Sequence, residues 1–119
     1  MITVYGIKNC DTIKKTRKWF EANNIEYTFH DYRSDGLDQA WLAEQLAQFG
    51  WETIVNKRGT TYRQLSDEQK HSLNNDTALA ILQEAPAMIK RPIVIFTNTQ
   101  GTTDALVGFK EADYQAKFL

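Results

Sequence analysis

At 119 residues the chain has the length of one domain, because roughly 100–150 residues normally close around a single core. Hydrophobic residues make up 42% and charged residues 24% of it, which excludes disordered and fibrous classes. A formal net charge of −1 gives no electrostatic case for binding nucleic acid or an anionic membrane surface.

No apolar run approaches the ~20 residues needed to cross a bilayer. The start "MITVYG" lacks the basic and apolar segments of a signal peptide. The expected setting is the cytoplasm, where thiols stay reduced.

The stretch "ITVYGI" (2–7) alternates β-branched and aromatic residues around Gly6, as a strand entering a turn would. From Cys10 the pattern changes. Asp11 in a first turn, apolar Ile13, Trp19 and Phe20, and a stop at Asn23-Asn24 predict a helix. "IEYTFHDY" (25–32) alternates Ile25, Tyr27 and Phe29 with polar neighbours and reads as a second strand. Asp38 is placed to cap a helix over "QAWLAEQLAQF" that stops at Gly50, with Trp41, Leu42, Leu46 and Phe49 on one face.

Residues 51–65 are polar and offer only a turn at Gly59. Ser66 with Gln69 fits a capping box for a short helix to Leu73. Asp76 then caps "TALAILQEA", which Pro86 closes. "PIVIF" (92–96) has the continuous apolar character of a buried central strand. "TNTQGTTD" is a turn, "ALVGF" (105–109) returns as the neighbouring strand, and "KEADYQAKFL" is a final helix.

A strand-helix-strand start implies a parallel, right-handed crossover. A closing hairpin and helix complete a mixed four-stranded sheet. The fold class is therefore α/β, on the thioredoxin plan, as a single domain over 1–119. A helical insertion at about 36–88, some 50–60 residues long within boundary error, separates the strand-helix-strand unit from the hairpin-helix unit.

Cys10 is the only cysteine, so no internal disulfide can form. It falls where the first strand hands over to the first helix. Unpaired backbone N–H groups and the positive end of the helix dipole meet there. Both favour thiolate, the reactive form. Lys8 precedes it by two residues, and Lys14 and Arg17 follow at four and seven on one helical face; Asp11 opposes them. A helix terminus contributes about 0.3–1 kcal/mol when exposed, so activation needs a nearby cation as well. Cysteine often behaves as a small buried hydrophobe, but the flanking "KNCDT" is polar throughout. Cys10 is accordingly read as exposed and reactive.

Several other chemistries fail on spacing. A cysteine-phosphatase loop needs arginine at position 16, which is Thr16, with Arg17 one residue late. A dithiol redox motif needs cysteine at Ile13. His30 sits in a strand and His71 in a polar helix, and neither reads as a partner for the thiol. One cysteine and two dispersed histidines cannot make a tetrahedral metal site. Lys15 and Lys18 read as a solvated helix face.

With "YGIKNCDTIKKTRKWF" near its start and "IKRPIVIF" near its end, the whole chain resembles the ArsC-like family of glutaredoxin-coupled arsenate reductases and their relatives. The form "GIKNCDT" is similar to the YffB-type branch. The resemblance implies a thioredoxin-like fold with a nucleophile at Cys10. It also implies three arginines around an oxyanion. One is Arg91, in a pair with Pro92 whose peptide would be cis and would present the preceding backbone to the cysteine. A second is Arg58, with Arg63 a weaker candidate. The third should fall near "LVGFKE", where Gly108 and Phe109 stand and Lys110 is the nearest cation. Arginine offers tetrahedral oxyanions a planar fork that lysine lacks. The resemblance thus supports the thiol chemistry more than arsenate. Spx-type regulators, which bind RNA polymerase and sense oxidants through a cysteine pair, are also relatives, and Ile13 removes their second thiol.

The expected function is a glutathione-dependent thiol reductase with Cys10 as nucleophile. Lys8, Asn9, Arg58, Arg91 and Pro92 form the expected substrate- or glutathione-binding set. With no second thiol in the chain, the resolving thiol must come from outside it; glutathione, abundant in a reducing cytoplasm, is the expected co-substrate, directly or through glutaredoxin, and no bound cofactor is expected. The protein is expected to act as a monomer. The alternatives are arsenate reduction and a non-enzymatic, Spx-like regulator that binds RNA polymerase.

Overall fold

The computed structural model describes every residue, Met1–Leu119. The chain forms two compact units, one of residues 1–32 with 91–119 and the other of residues 33–90.

The first unit is built on a sheet of β1 (Ile2–Gly6), β2 (Thr28–Asp31), β3 (Ile93–Thr97) and β4 (Thr103–Val107) in the order β2-β1-β3-β4. β1 and β2 are parallel, as the crossover predicts, and β3 runs antiparallel to both β1 and β4. Helices α1 (Asp11–Ala22) and α7 (Glu111–Phe118) supply Ile13, Trp19, Phe20 and Tyr114 to a core against Val4, Val94 and Phe96. The strand residues share one sheet face because they alternate with a period of two. Gly6 lets α1 lie close to β1, since a Cβ there would collide with Ile13 Cδ1.

Two strands depart from the sequence reading by more than one residue. β2 starts three residues later than predicted because the Ile25 amide is held by the Phe20 carbonyl at the end of α1 (2.9 Å), which keeps that backbone out of the sheet. β4 lies two residues earlier, because a compact turn closes the hairpin. In that turn the Asn98 amide bonds the Thr102 carbonyl at 2.8 Å, and Gly101 takes φ +82. β4 is a sheet edge, and Asp104 Oδ1 accepts from the Ala105 amide (2.8 Å), occupying a donor that an edge otherwise offers to another chain.

The second unit is helical. It contains α2 (Gln39–Phe49), α3 (Trp51–Ile54), α4 (Thr60–Arg63), α5 (Asp67–His71), α6 (Asn75–Glu84) and a 3₁₀ turn at Pro86–Met88. Asp38 caps α2 through the Trp41 amide (2.9 Å), and Ser66 and Gln69 form the predicted box on α5. The cap of α6 is not Asp76 but Asn74, which makes a reciprocal box with Thr77, so Asp76 sits in the first turn instead. The segment after α3 is tied to the end of the unit across a Val55–Ile89 bridge, where Asn56 N donates to Met88 O and Lys90 N to Ile54 O, each at 2.7 Å.

Leu42 and Leu46 of α2 are buried as the helical pattern requires, but their companion is Gln45 rather than Trp41 or Phe49. Gln45 is 5% exposed and its Oε1 has no protein partner. An unpaired buried carbonyl costs about 1–3 kcal/mol. Gln45→Leu is therefore expected to raise stability by about 1 kcal/mol, read as a higher urea midpoint at unchanged slope; a lower midpoint would show that the amide is satisfied.

Candidate functional site

Register brings four chain segments to one end of the sheet in the first unit. Gly6 faces Asp31, Tyr5 faces Ile93, and Ile93 faces Val107. The chain leaving β1 through residues 7–10, that leaving β2 at Tyr32, that entering β3 through Arg91-Pro92 and that leaving β4 at Gly108 therefore emerge side by side. Backbone bonds join them, with Tyr32 N donating to Gly6 O (3.0 Å) and Gly108 N to Pro92 O (2.8 Å). The Arg91-Pro92 peptide is cis and Pro92 is buried.

Cys10 occupies the N-cap of α1, extended at φ −143 and ψ 129, and its carbonyl takes the first intrahelical bond from Lys14 N (3.0 Å). The amides of Asp11, Thr12 and Ile13 precede that bond and form the donor-rich helix end. Lys8, Asn9 and Asp11 are exposed, while Cys10 itself is half-buried. Its side chain packs on the rim of the core cluster. The thiol is thus more covered than its polar neighbours imply, because a cap residue lies over the packed first turn.

Arg17 does something other than the sequence spacing implies. Its Nε donates to Tyr27 Oη (2.9 Å), its guanidinium carbon lies 4.6 Å from the Phe29 ring centre, and Tyr27 Oη donates to Glu21 Oε1 (3.2 Å). It ties α1 to the chain entering β2, a packing and cation–π role. Lys14 is exposed.

Arg91 is half-buried beside an aromatic cluster. Burial pushes the Tyr32 hydroxyl well above the usual tyrosine range, Tyr5 reinforces the shift, and the Arg91 charge opposes it. The Tyr5 ring lies 4.9 Å from His30 and 6.4 Å from Tyr32. Burial also raises the Tyr5 hydroxyl. On the far side of Pro92, Phe109 turns inward onto Tyr114 at 4.8 Å between ring centres, and Lys110 is exposed at the N-cap of α7. Tyr114 Oη donates to Gly108 O (3.0 Å), fixing the exit of β4. Tyr114→Phe should cost about 1–2 kcal/mol by leaving that carbonyl unpaired; an unchanged melting temperature would show the bond contributes nothing.

Arg58 belongs to the second unit. It is exposed in the turn before α4, with its amide on Asn56 Oδ1 (3.2 Å). Arg63 is exposed at the end of α4, and His71 at the end of α5. No group of His, Cys, Asp and Glu side chains is placed to hold a metal ion, and no helix is long and apolar enough to cross a membrane. A depression of about 540 Å³ lined by Met1, Ile2, Glu26, Tyr27 and Thr28 opens at the other end of β1, away from the thiol.

The sequence reading missed Asp31. It is 9% exposed, and its Oδ2 accepts from the Lys8 amide at 3.3 Å. Its signal was the predicted parallel crossover, which sets the end of the second strand beside the end of the first.

Comparison with known proteins gives a consistent family. Residues 5–117 match the ArsC family. An uncharacterized protein of Haemophilus influenzae is 53% identical over 118 residues, covering 99% of both chains. The solved YffB protein superimposes with a TM-score of 0.89 at 39% identity over the full length of both chains. An arsenate reductase (ArsC) related protein from Brucella melitensis gives 0.76 at 41% identity, covering 98% of this chain and 93% of that one. The global transcriptional regulator Spx of Staphylococcus haemolyticus is 27% identical over 97 residues, 80% of this chain and 73% of its own. With its match over nearly the whole chain, its thioredoxin-like sheet and its YffB-type likeness, the chain belongs to the ArsC family.

Proposed function

We propose that the protein is a glutathione-dependent thiol reductase that works through Cys10 alone. One observation carries this reading: the residue with the sole thiol of the chain occupies the N-cap position of α1, at the end of the sheet where the Arg91-Pro92 segment also emerges. Cys10 thiolate attacks the glutathione sulfur of a mixed disulfide RS–SG. A disulfide bond forms between Cys10 Sγ and the glutathione sulfur, the sulfur–sulfur bond of RS–SG breaks, and RS⁻ leaves to take a proton. A second glutathione thiolate then attacks the glutathione sulfur held on Cys10, forming oxidised glutathione and releasing the Cys10 thiolate. The two steps sum to RS–SG plus one glutathione giving RSH plus oxidised glutathione, and no second protein thiol is needed.

Arg91, with Lys8 and Asn9, is the proposed grip on the carboxylates of the tripeptide. The inward-facing Phe109 beside Gly108 puts no guanidinium where the resemblance places a third arginine for arsenate. This favours sulfur over oxyanion as the target. The test is NADPH oxidation in a coupled assay with glutathione, glutathione reductase and a glutathionylated disulfide. Turnover that scales with added protein supports the reading, and a rate equal to the protein-free background rejects it.

The likeness to Spx favours a second reading, a non-enzymatic protein whose partner is RNA polymerase. It is supported if the purified protein captures RNA polymerase and leaves the coupled assay at background.

A further inference from the structure

The approach to Cys10 is only four residues long, from Gly6 to the helix cap, and its middle carries exposed Lys8 and Asn9. Such a loop keeps one shape only if something outside it holds its backbone. Two bonds from the end of β2 do so: Tyr32 N–H grips the Gly6 carbonyl at 3.0 Å, and the Asp31 carboxylate accepts from the Lys8 amide at 3.3 Å. The first continues the parallel ladder and needs no particular side chain. The second depends on the identity of residue 31.

We infer that Asp31 is a positioning residue for Cys10, whose side-chain oxygen fixes the 7–9 turn and so presents the thiol at the α1 terminus. Asp31 lies on the α1 face of the sheet, opposite Gly6, and it is 9% exposed. A carboxylate this covered is costly unless hydrogen-bonded, and the Lys8 amide is a donor to this one. A nucleophile misplaced by about 1 Å can lose 10²-fold in rate. Asn retains an acceptor oxygen at the same reach and Ala does not, so the two substitutions separate the bond from the charge.

The inference rests on Cys10 being the reacting group, as proposed above, but not on glutathione being its partner. The experiment therefore reads the second-order rate of Cys10 alkylation by iodoacetamide, apart from the coupled glutathione assay. Asp31→Ala is expected to lower that rate by about tenfold, and Asp31→Asn to restore it to within threefold of the native protein. Equal rates in Asp31→Ala and the native protein would overturn the inference, as would Asp31→Asn behaving like Asp31→Ala. Should Asp31→Ala fail to fold, hydrogen exchange at the Lys8 amide of the native protein decides. Protection supports the bond, and exchange at the rate of an open loop rejects it. A failed coupled assay with these results intact would reject the glutathione reading and leave the positioning role standing.

Discussion

Cys10→Ser is expected to bring glutathione-coupled disulfide reduction down to the uncatalysed background, a loss on the order of 10²-fold or more, as for removal of an enzyme nucleophile. The same substitution should not weaken the fold. Cys10 makes no side-chain cap bond, and serine is among the best N-cap residues, worth about 0.5–2 kcal/mol over a non-capping one. The melting temperature should hold or rise while turnover vanishes. A serine variant that keeps more than a tenth of the activity would place the chemistry elsewhere, and one that unfolds would make Cys10 a packing residue.

Phe20→Ala carries the largest expected cost in stability. Phe20 is fully buried, and its ring lies 5.3 Å from those of Trp19, Tyr27 and Phe118 and 5.7 Å from Tyr114. Truncating such a side chain costs about 3–5 kcal/mol, a large share of the roughly 5–15 kcal/mol that holds a domain together. The melting temperature should fall by about 10–20 °C. Because α1 carries both Phe20 and its cap Cys10, the helix that presents the thiol is anchored by this cluster. A loss below about 1 kcal/mol would mean that the cavity collapses without penalty and that the cluster does not anchor α1.

How much of this was legible in the residues depended on how local the causes were. The sheet came through because "ITVYGI" and "PIVIF" are strand-like in themselves and the crossover rule is local to one strand-helix-strand unit. Ser66 and Asp38 were read correctly as caps because the partner amide lies three residues away. Asn74 was missed because two capping residues compete within three positions, and only the backbone decides between Asn74 and Asp76. Gln45 broke the apolar pattern of α2, since helix phase is set by packing and not by the strongest hydrophobes. At the site, Cys10 was legible from its polar neighbours and its place before a helix. Arg17 was assigned by spacing along α1, whereas Tyr27 and Phe29, on and before β2, hold it from outside the helix. Asp31 lay hidden for the same reason: its partner amide is 23 residues away in the chain.

The central claim is that a lone half-buried thiol at a helix cap is the reacting group of this protein. The most direct measurement is the rate at which oxidised glutathione adds to Cys10, followed by intact mass, in the native protein and in the same chain unfolded in urea. The expected result is one mixed disulfide per chain, formed several-fold faster in the folded protein, because the donor-rich terminus of α1 exists only there. An adduct that forms more slowly on the folded chain than on the unfolded one, or not at all, would contradict it.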